Sequence, residues 1–344
     1  MVVPRLTSQL FATDIYIQID NTDFRFPRDI FSTPGNTPNY FSLGFGAFFA
    51  SPTEVFPGLD RAGLLRPPAI EPPRLPHRSA AVFADLLQLA RGYQVAIRGA
   101  DHRAQLVRDC RYFNLKGLEQ QIIACDVRRN PVRGRGEIVI GAGDIVARGT
   151  GIGLVSADSD EHTQGQQACA TYMRPYTDDG PNDLIVQIAD DNAVIDLADG
   201  RITFLGSAEG SMRTLLATVL NKAIASGSFD NDRDTQPENR PRVRMHDETD
   251  LRLNGQQIDN AISTFVASQK PRPADGDEQR ASKRPRLDPS AKDTAVGKWY
   301  VRTGQWLVHI SKPGQDVEVA LVAVKLDVYT SARERTRTRP FLVS

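Results

Sequence analysis

The stretch RDCRYFNLKGLEQQ, residues 108–121, decides the fold of the first part of the chain. Its spacing predicts the end of one helix, a turn at Gly117 and the start of another helix. The stretch holds a cysteine, two arginines, an aspartate and a glutamate. These residues would suit a reactive site, or they could be the solvent-exposed neighbours of residues that pack two helices together. We favour helix packing, because the apolar residues recur at helical spacing. The residues expected to pack there are Cys110, Tyr112, Phe113, Leu115 and Leu118.

A capped helix is predicted upstream, in SAAVFADLLQLAR at 79–91. Phe83, Leu86 and Leu87 fall on one stripe of this helix. Ser79 precedes it, and a serine there can accept a hydrogen bond from the first free backbone N–H groups.

The N-terminal segment DIYIQIDNTDFRF, residues 14–26, predicts a β-hairpin. Ile15 and Ile17 alternate onto one face, and Phe24 follows in the second strand. We expect the turn at Asn-Thr-Asp, residues 21–23, since these residue types favour turns.

The segment between the hairpin and the capped helix contains seven prolines within residues 52–76. Neither a helix nor a central strand tolerates that density, so an exposed loop is predicted. The aromatic-rich residues 39–49 predict a short buried helix. Two further helices are expected, over 102–113 and over 118–125.

From residue 130 the pattern changes to short β-rich runs separated by glycines and turn residues. The runs LIVQIA, AVIDL and RITFL, between residues 184 and 205, predict a meander. The segment 211–227 predicts one amphipathic helix that ends at a glycine. Polar residues at about 228–241 and 268–295 predict disordered linkers.

The C-terminal region predicts a strand pair joined by the Lys-Pro-Gly at 312–314. These strands are too apolar to stand alone, so we expect them to complete one domain with residues 130–226. Trp299 and Trp306 alternate with apolar residues and are expected in its core. In RERTRTRPF, at 333–341, arginines at every second position would share one face of a strand.

Three of these motifs resemble a BTB/POZ domain of the potassium-channel-tetramerisation (KCTD-like) type. IYIQIDNTDFRFPRDIF is similar to its opening strands, SAAVFADLLQLARGYQV to a following helix, and RDCRYFNLKGLEQQI to its closing helix pair. The resemblance covers residues 14–126. The chain departs from it at Asn21, where the family has glycine, and in the long proline-rich loop. The resemblance implies a self-associating interaction domain.

Later segments are similar to a group of fungal BTB proteins that includes growth and stress regulators. HRSAAVFADLLQLARGY and VEVALVAVKLDVYTSARERTRTRPFL are among the segments that carry this likeness. The predicted fold class is α+β. A BTB/POZ domain over 14–126, with a proline-rich loop at 52–76, precedes a β-rich α+β domain over 130–344 that contains the disordered linkers.

Composition and motifs argue against several functions. Lys plus Arg and Asp plus Glu both number 42, so no global field favours nucleic acid. No run of about 18 apolar residues predicts a membrane span. The three cysteines and five histidines lack metal-ligand spacing, and GAGDIVARGTGIG at 141–153 fits no nucleotide-binding loop. We therefore expect no cofactor, no metal and no catalytic site in a cytoplasmic or nuclear protein.

One basic segment suits nuclear import. KPRPADGDEQRASKRPRLD, residues 270–288, resembles a bipartite nuclear-localisation signal, and a solvated linker explains it equally well. The residues concerned are Lys270, Arg272, Lys283, Arg284 and Arg286.

The expected function is an adaptor or scaffold in growth or stress regulation. It would self-associate through the BTB domain and recruit an unidentified protein through the C-terminal domain. One alternative is a substrate adaptor of a cullin-3 ubiquitin ligase, which the BTB resemblance implies. Another is a nuclear transcription regulator, and an enzyme has no motif in its support. No direct contact with membrane or nucleic acid is expected.

Overall fold

A computed structural model describes residues 14–42, 74–131, 133–145, 151–156, 167–225, 240–269, 297–311 and 317–339. The described residues mix α-helices and β-strands. Contacts divide the chain into two units, Met1–Ile123 and Ala124–Ser344.

The first unit combines a small sheet with three helices. Its strands are β1 (Asp14–Ile19), β2 (Thr22–Pro27) and β3 (Arg74–Leu75), its helices are α1 (Ala80–Ala90), α2 (Ala100–Phe113) and α3 (Lys116–Ile122), and a 3-10 turn spans Arg28–Phe31. The sheet order is β2-β1-β3. β3 runs parallel to β1, so the segment expected as loop ends as an edge strand.

The hairpin of β1 and β2 forms as predicted, but its turn lies one residue earlier than expected. Asp20 and Asn21 form the turn, with φ of 47° and 59°. Two consecutive residues with positive φ match the right-handed twist of the flanking strands, and Asp and Asn tolerate that conformation better than most residues. Ile19 therefore pairs with Thr22 across a two-residue loop.

Alternating side chains of β1 and one stripe of each helix enclose the core of this unit. The buried apolar residues of the core include Ile15, Ile17, Ile19, Phe26, Phe31, Phe41, Leu75, Val82, Phe83, Leu86, Leu87, Leu106, Cys110, Phe113, Leu115, Leu118 and Ile122. Ser79 caps α1 as predicted, accepting a hydrogen bond from the N–H of Val82 at 3.5 Å.

Gly117 lies inside α3, so the prediction that it forms the turn between the helices is wrong. The left-handed residue that ends α2 is Asn114, with φ of 56°. Gly117 instead allows close packing. A Cβ atom there would lie 2.6 Å from the carbonyl oxygen of Pro34, and the Gly117 N–H donates to the carbonyl of Gly35 at 3.1 Å.

The second unit is dominated by β-structure. Its strands are β4 (Cys125–Arg129), β5 (Gly136–Gly141), β6 (Ile152–Ser156), β7 (Gln167–Tyr172), β8 (Asn182–Ile188), β9 (Ala193–Asp196), β10 (Arg201–Phe204), β11 (Arg242–Arg244), β12 (Asp250–Leu253), β13 (Gln256–Ile258), β14 (Lys298–Ser311) and β15 (Glu318–Tyr329). Its helices are α4 (Gly206–Ala225), α5 (Ala261–Gln269) and α6 (Ala332–Arg337).

Strand β14 organises this unit. It pairs with β15 along one edge and with β9, β8 and β7 in turn along the other. The pairings β9–β10, β10–β11 and β11–β15 then close a ring of five strands through β14. The late strands thus share one sheet with the strands that precede residue 226, as their apolar character predicts.

The predicted meander is only partly correct. β9 and β10 pair directly, whereas β9 and β8 follow one another along the same edge of β14 and do not pair with each other in the described sheet. Cys125 begins strand β4 and does not extend the third helix. Helix α4 begins at Gly206, earlier than predicted, and its expected end at Gly227 lies outside the described residues.

The arginine-rich tail forms a helix, so the prediction of a strand there is wrong. Ser331 caps α6 by accepting a hydrogen bond from the N–H of Glu334 at 3.3 Å. On a helix, Arg333 and Arg337 lie four residues apart on one face, and Arg335 points away from them. Arg335 pairs instead with Asp191.

The core of the second unit contains apolar residues of the strands and of α4. Met212, Leu215 and Val219 of α4 are buried, and Trp299 and Trp306 are fully enclosed, as predicted. Among the helices that the structure describes, none is long and apolar enough to cross a membrane.

We predict that Gly117→Ala lowers the free energy of unfolding of the first unit by about 1–3 kcal/mol, because the new methyl group meets a backbone oxygen. Gly210→Ala is the matched control. Gly210 lies in α4, and apart from its chain neighbours and the nearby backbone of that helix no atom lies within 4 Å of the position that its new methyl group would take, so alanine should stabilise by about 0.5–1 kcal/mol. Urea denaturation of both variants measures the two changes, and an unchanged midpoint for Gly117→Ala would contradict the packing argument.

Candidate interaction surface

Most residues predicted to pack in the first unit are buried there. Ile15, Ile17, Phe83, Leu86, Leu87, Cys110, Phe113, Leu115, Gly117 and Leu118 are buried. Phe24 is half-buried and its ring lies edge-on to Phe83 at 5.0 Å.

Tyr112 differs from the prediction, since it is 43 % exposed. It neighbours the buried Phe113 on α2, and successive helical residues point about 100° apart, which turns Tyr112 away from the core. Its ring stacks on Tyr40 with centroids 5.6 Å apart. Burial, and secondarily Tyr112, raises the pKa of the Tyr40 phenol.

The ion pair between Arg78 and Asp109 lies next to Tyr112. The guanidinium of Arg78 lies 3.9 Å from the centre of the Tyr112 ring and donates to Asp109 Oδ1 at 2.7 Å. Asp109 is fully buried, and Arg108 contacts the same oxygen more loosely at 3.4 Å. The second oxygen of Asp109 has no hydrogen-bond partner among the described residues.

The Arg78–Asp109 ion pair was not predicted from the sequence, although the sequence holds a signal for it. Asp109 falls on the apolar stripe of α2 beside Leu106, Cys110 and Phe113. An acidic residue on a buried stripe requires a cation or a hydrogen-bond donor, because an unpaired buried charge is very costly. The position of Asp109 on this stripe therefore predicts a cationic or hydrogen-bonding partner, and that partner is Arg78.

A groove of about 620 Å³ opens beside this pair. Its walls are the β1–β2 turn, residues 74–79 and α2, and its charged lining includes Arg74, Arg78 and Arg108 against Asp20. Three arginines against one carboxylate give this lining a positive charge, which favours anionic groups. His77 and Ser79 also line the groove, and the Ser79 hydroxyl caps α1.

A second polar cluster fixes the connection between α1 and α2. The backbone N–H of Arg98 donates to His102 Nδ1 at 3.2 Å, and the Arg98 guanidinium lies 2.9 Å from Nε2 of the same ring. Nε2 lies 3.0 Å from Asp85 Oδ2, and the Arg98 guanidinium reaches the same oxygen at 3.0 Å. Three side chains thereby hold the end of this connection against the two helices.

The thiols of the second unit and its half-buried His309 do not form a nucleophilic pair. Cys169 lies opposite His309 in the β7–β14 register. Burial raises the pKa of the Cys169 thiol to about 12. Burial, with the nearby Arg133, His246 and Arg244, lowers the pKa of His309 to about 4. Both groups are therefore neutral at pH 7, whereas a nucleophilic cysteine needs the thiolate.

The remaining cysteines are equally unsuited to catalysis. Burial raises the pKa of both Cys110 and Cys125. Cys125 contacts the Arg174 guanidinium at 2.9 Å, and that guanidinium is held by Asp178 at 2.6 Å. Within the described residues, no group of three His, Cys, Asp or Glu side chains could hold a metal ion.

The basic segment considered for nuclear import lies outside the described residues, as does most of the proline-rich segment. The residues of the basic segment are Lys270, Arg272, Lys283, Arg284 and Arg286.

Comparison with known proteins gives two partial likenesses. The uncharacterized protein YDR132C of Saccharomyces cerevisiae is 29 % identical over 221 residues, which cover 54 % of this chain and 44 % of that protein. The BTB/POZ domain-containing protein YLR108C of the same yeast is 25 % identical over 193 residues, covering 53 % of this chain and 39 % of that protein. The chain spans less than half the length of these curated relatives. No family model matches it.

We predict that Arg78→Met costs about 3–5 kcal/mol of folding free energy, because it leaves the buried Asp109 carboxylate without its cation. Arg108→Met is the matched control. Arg108 is mostly exposed and contacts the same oxygen at 3.4 Å, so its loss should cost less than about 1 kcal/mol. Chemical denaturation compares the two, and equal losses would show that Arg78 has no special role.

We predict that His309 makes the second unit less stable as the pH falls from 6.5 to 4. Its folded-state pKa, about 4, lies below the unfolded value, so the unfolded chain binds the proton first. Complete protonation of His309 lowers the free energy of unfolding by about 3 kcal/mol. In urea titrations from pH 7 to 4.5, the His309→Gln variant should lose less stability than the unsubstituted protein. His77→Gln, which removes an exposed histidine, should follow the unsubstituted curve, and parallel curves for all three would contradict the assignment.

Proposed function

We propose that this protein is a non-enzymatic interaction adaptor that self-associates through its first unit and recruits a second protein through its second unit. The observation that carries the proposal is the likeness of half of the chain to a BTB/POZ domain-containing protein. BTB/POZ domains are interaction domains, and the KCTD-like motifs quoted above suggest the self-associating type.

The surface of the first unit supports binding over catalysis. Tyr112, Tyr40 and Arg78 form an aromatic and guanidinium surface on a rigid core, and aromatic and arginine side chains are enriched where proteins bind one another. The neighbouring groove presents arginines suited to an acidic group. The thiols and His309 of the second unit are held neutral, which gives no support to nucleophilic chemistry.

The mechanism we propose is valency. If the first unit assembles copies of the chain, the second unit is displayed several times on one particle. A weak contact made by each copy then becomes an avid one, because later contacts form within the same complex. The second unit has its own core, so it can serve as a separate recruiting module. We place this activity in growth or stress regulation, in the cytoplasm or the nucleus.

The test is the molar mass of the full chain in solution. Light scattering coupled to size exclusion, at increasing protein concentration, should give a multiple of the 37.9 kDa chain mass. A mass of one chain at every concentration would overturn self-association.

The same experiment separates the finer partner hypotheses. Adding the N-terminal domain of cullin-3 should shift the peak if the protein is a ubiquitin-ligase adaptor, a role that only the BTB likeness suggests. An assembled protein that leaves cullin-3 free would favour a signalling scaffold.

A further inference from the structure

The connection between α1 and α2 contains an exposed strip, YQVAIR at residues 93–98, that is neither helix nor turn. Tyr93 is 63 % exposed and Ile97 is 37 % exposed. These two side chains lie four residues apart, and exposed apolar side chains mark contact sites when they form a continuous patch.

The backbone of this strip also lacks partners. Within the described part of the chain, residues 94–97 make no backbone hydrogen bond, and only the ends of the strip are tied. The N–H of Tyr93 donates to the carbonyl of Gln88 at 3.0 Å. The N–H of Arg98 donates to His102. The strip is thus a run of free donors and acceptors held at both ends.

The residue pattern is that of a strand. Tyr93, Val95 and Ile97 alternate along the strip, and aromatic and β-branched residues favour pleated conformations. An exposed stretch with unpaired backbone groups and this composition can add to another strand through main-chain hydrogen bonds.

We propose that the strip of one copy pairs with the strip of a second copy, as antiparallel strands related by a two-fold axis through Val95. The proposal rests on the self-association proposed above and assigns it a contact. In this register Tyr93 faces Ile97 of the partner subunit, and Val95 faces its own counterpart. An aromatic side chain opposite a β-branched one is a favourable cross-strand pair.

The charges of the strip are compatible with a second copy. Its single charged residue, Arg98, already pairs with Asp85 of its own chain, and the proposed register sets Arg98 opposite Gly92 of the partner subunit. No like charges meet. A two-fold contact also repeats the same patch on both subunits, which is the commonest arrangement in homo-oligomers.

The strip is too short to make a strong contact alone. Stable interfaces bury about 1,200–2,000 Å² in total, which exceeds what one pair of six-residue strands supplies. The pairing is therefore a weak dimer contact or one contact within a larger assembly. Its effect is best measured over a wide range of protein concentration.

The experiment is sedimentation equilibrium of the full chain and of three variants. Tyr93→Ser with Ile97→Ser removes the apolar contacts. With Val95 opposite Val95 as a non-hydrogen-bonded pair, Ala96 exchanges hydrogen bonds with Gln94 of the partner subunit, and Ala96→Pro removes one of them. The substitution breaks no hydrogen bond within the chain, because the Ala96 N–H has no partner among the described residues. Tyr176→Ser with Val266→Ser is the control, since these residues of the second unit are 42 % and 47 % exposed. Circular dichroism confirms that each variant is folded.

We expect both strip variants to raise the dissociation constant by about tenfold or more, and the control pair to leave it unchanged. If the unsubstituted chain assembles and the strip variants assemble equally well, this inference fails and the proposed function stands. Loss of assembly in the serine variant alone would overturn strand pairing. An unsubstituted chain that stays monomeric at all concentrations would overturn both proposals.

Discussion

Strand β14 is the constraint on which the second unit depends, because both of its edges are hydrogen-bonded. A strand paired on both sides needs apolar residues on both faces wherever both are covered, and Trp306, Leu307 and Val308 are consecutive buried residues. Its partners come from segments before and after the long polar stretch that precedes it in the sequence. The sheet therefore cannot form until these distant segments meet, which raises the entropic cost of nucleation.

The first unit contains a packed segment, residues 32–42, that forms neither helix nor strand. Asn36 and Asn39 are buried and replace the missing backbone ladder. The side chain of Asn36 accepts from the N–H of Leu118 at 3.1 Å, and that of Asn39 accepts from the N–H of Phe41 at 2.9 Å. Gly117 lets this segment approach α3 closely. Buried polar groups of this kind must be satisfied, so they specify one arrangement of segment and helix.

Local patterns in the sequence predict local structure well. The helix from 79 to 91 and the strands around 298–311 follow from periodicity and capping, which depend on neighbouring residues alone. β8 pairs with β14 and not with β9, and the β14 residues that it contacts lie more than a hundred positions later in the sequence. Arginines at every second position in the tail fit a strand pattern, but the cap at Ser331 favours a helix.

The candidate site was less predictable than the fold. The predicted stripe includes Tyr112, but a stripe has an edge, and only three-dimensional packing shows which residue lies on it. The partnership of Arg78 with Asp109 joins residues 31 positions apart.

The geometry of the exposed strip limits as well as permits association. Gly92 and Gly99 bound it, with φ of 83° and 140°, so the chain turns away at both ends and a paired strand cannot lengthen. Arg91 precedes the strip and Arg98 is its last residue, and charges near a free edge oppose indefinite edge-to-edge aggregation. The ties at His102 hold the strip in place before any partner arrives, which reduces the ordering cost of binding. A short, fixed, charge-flanked strand favours a closed pair over an open stack.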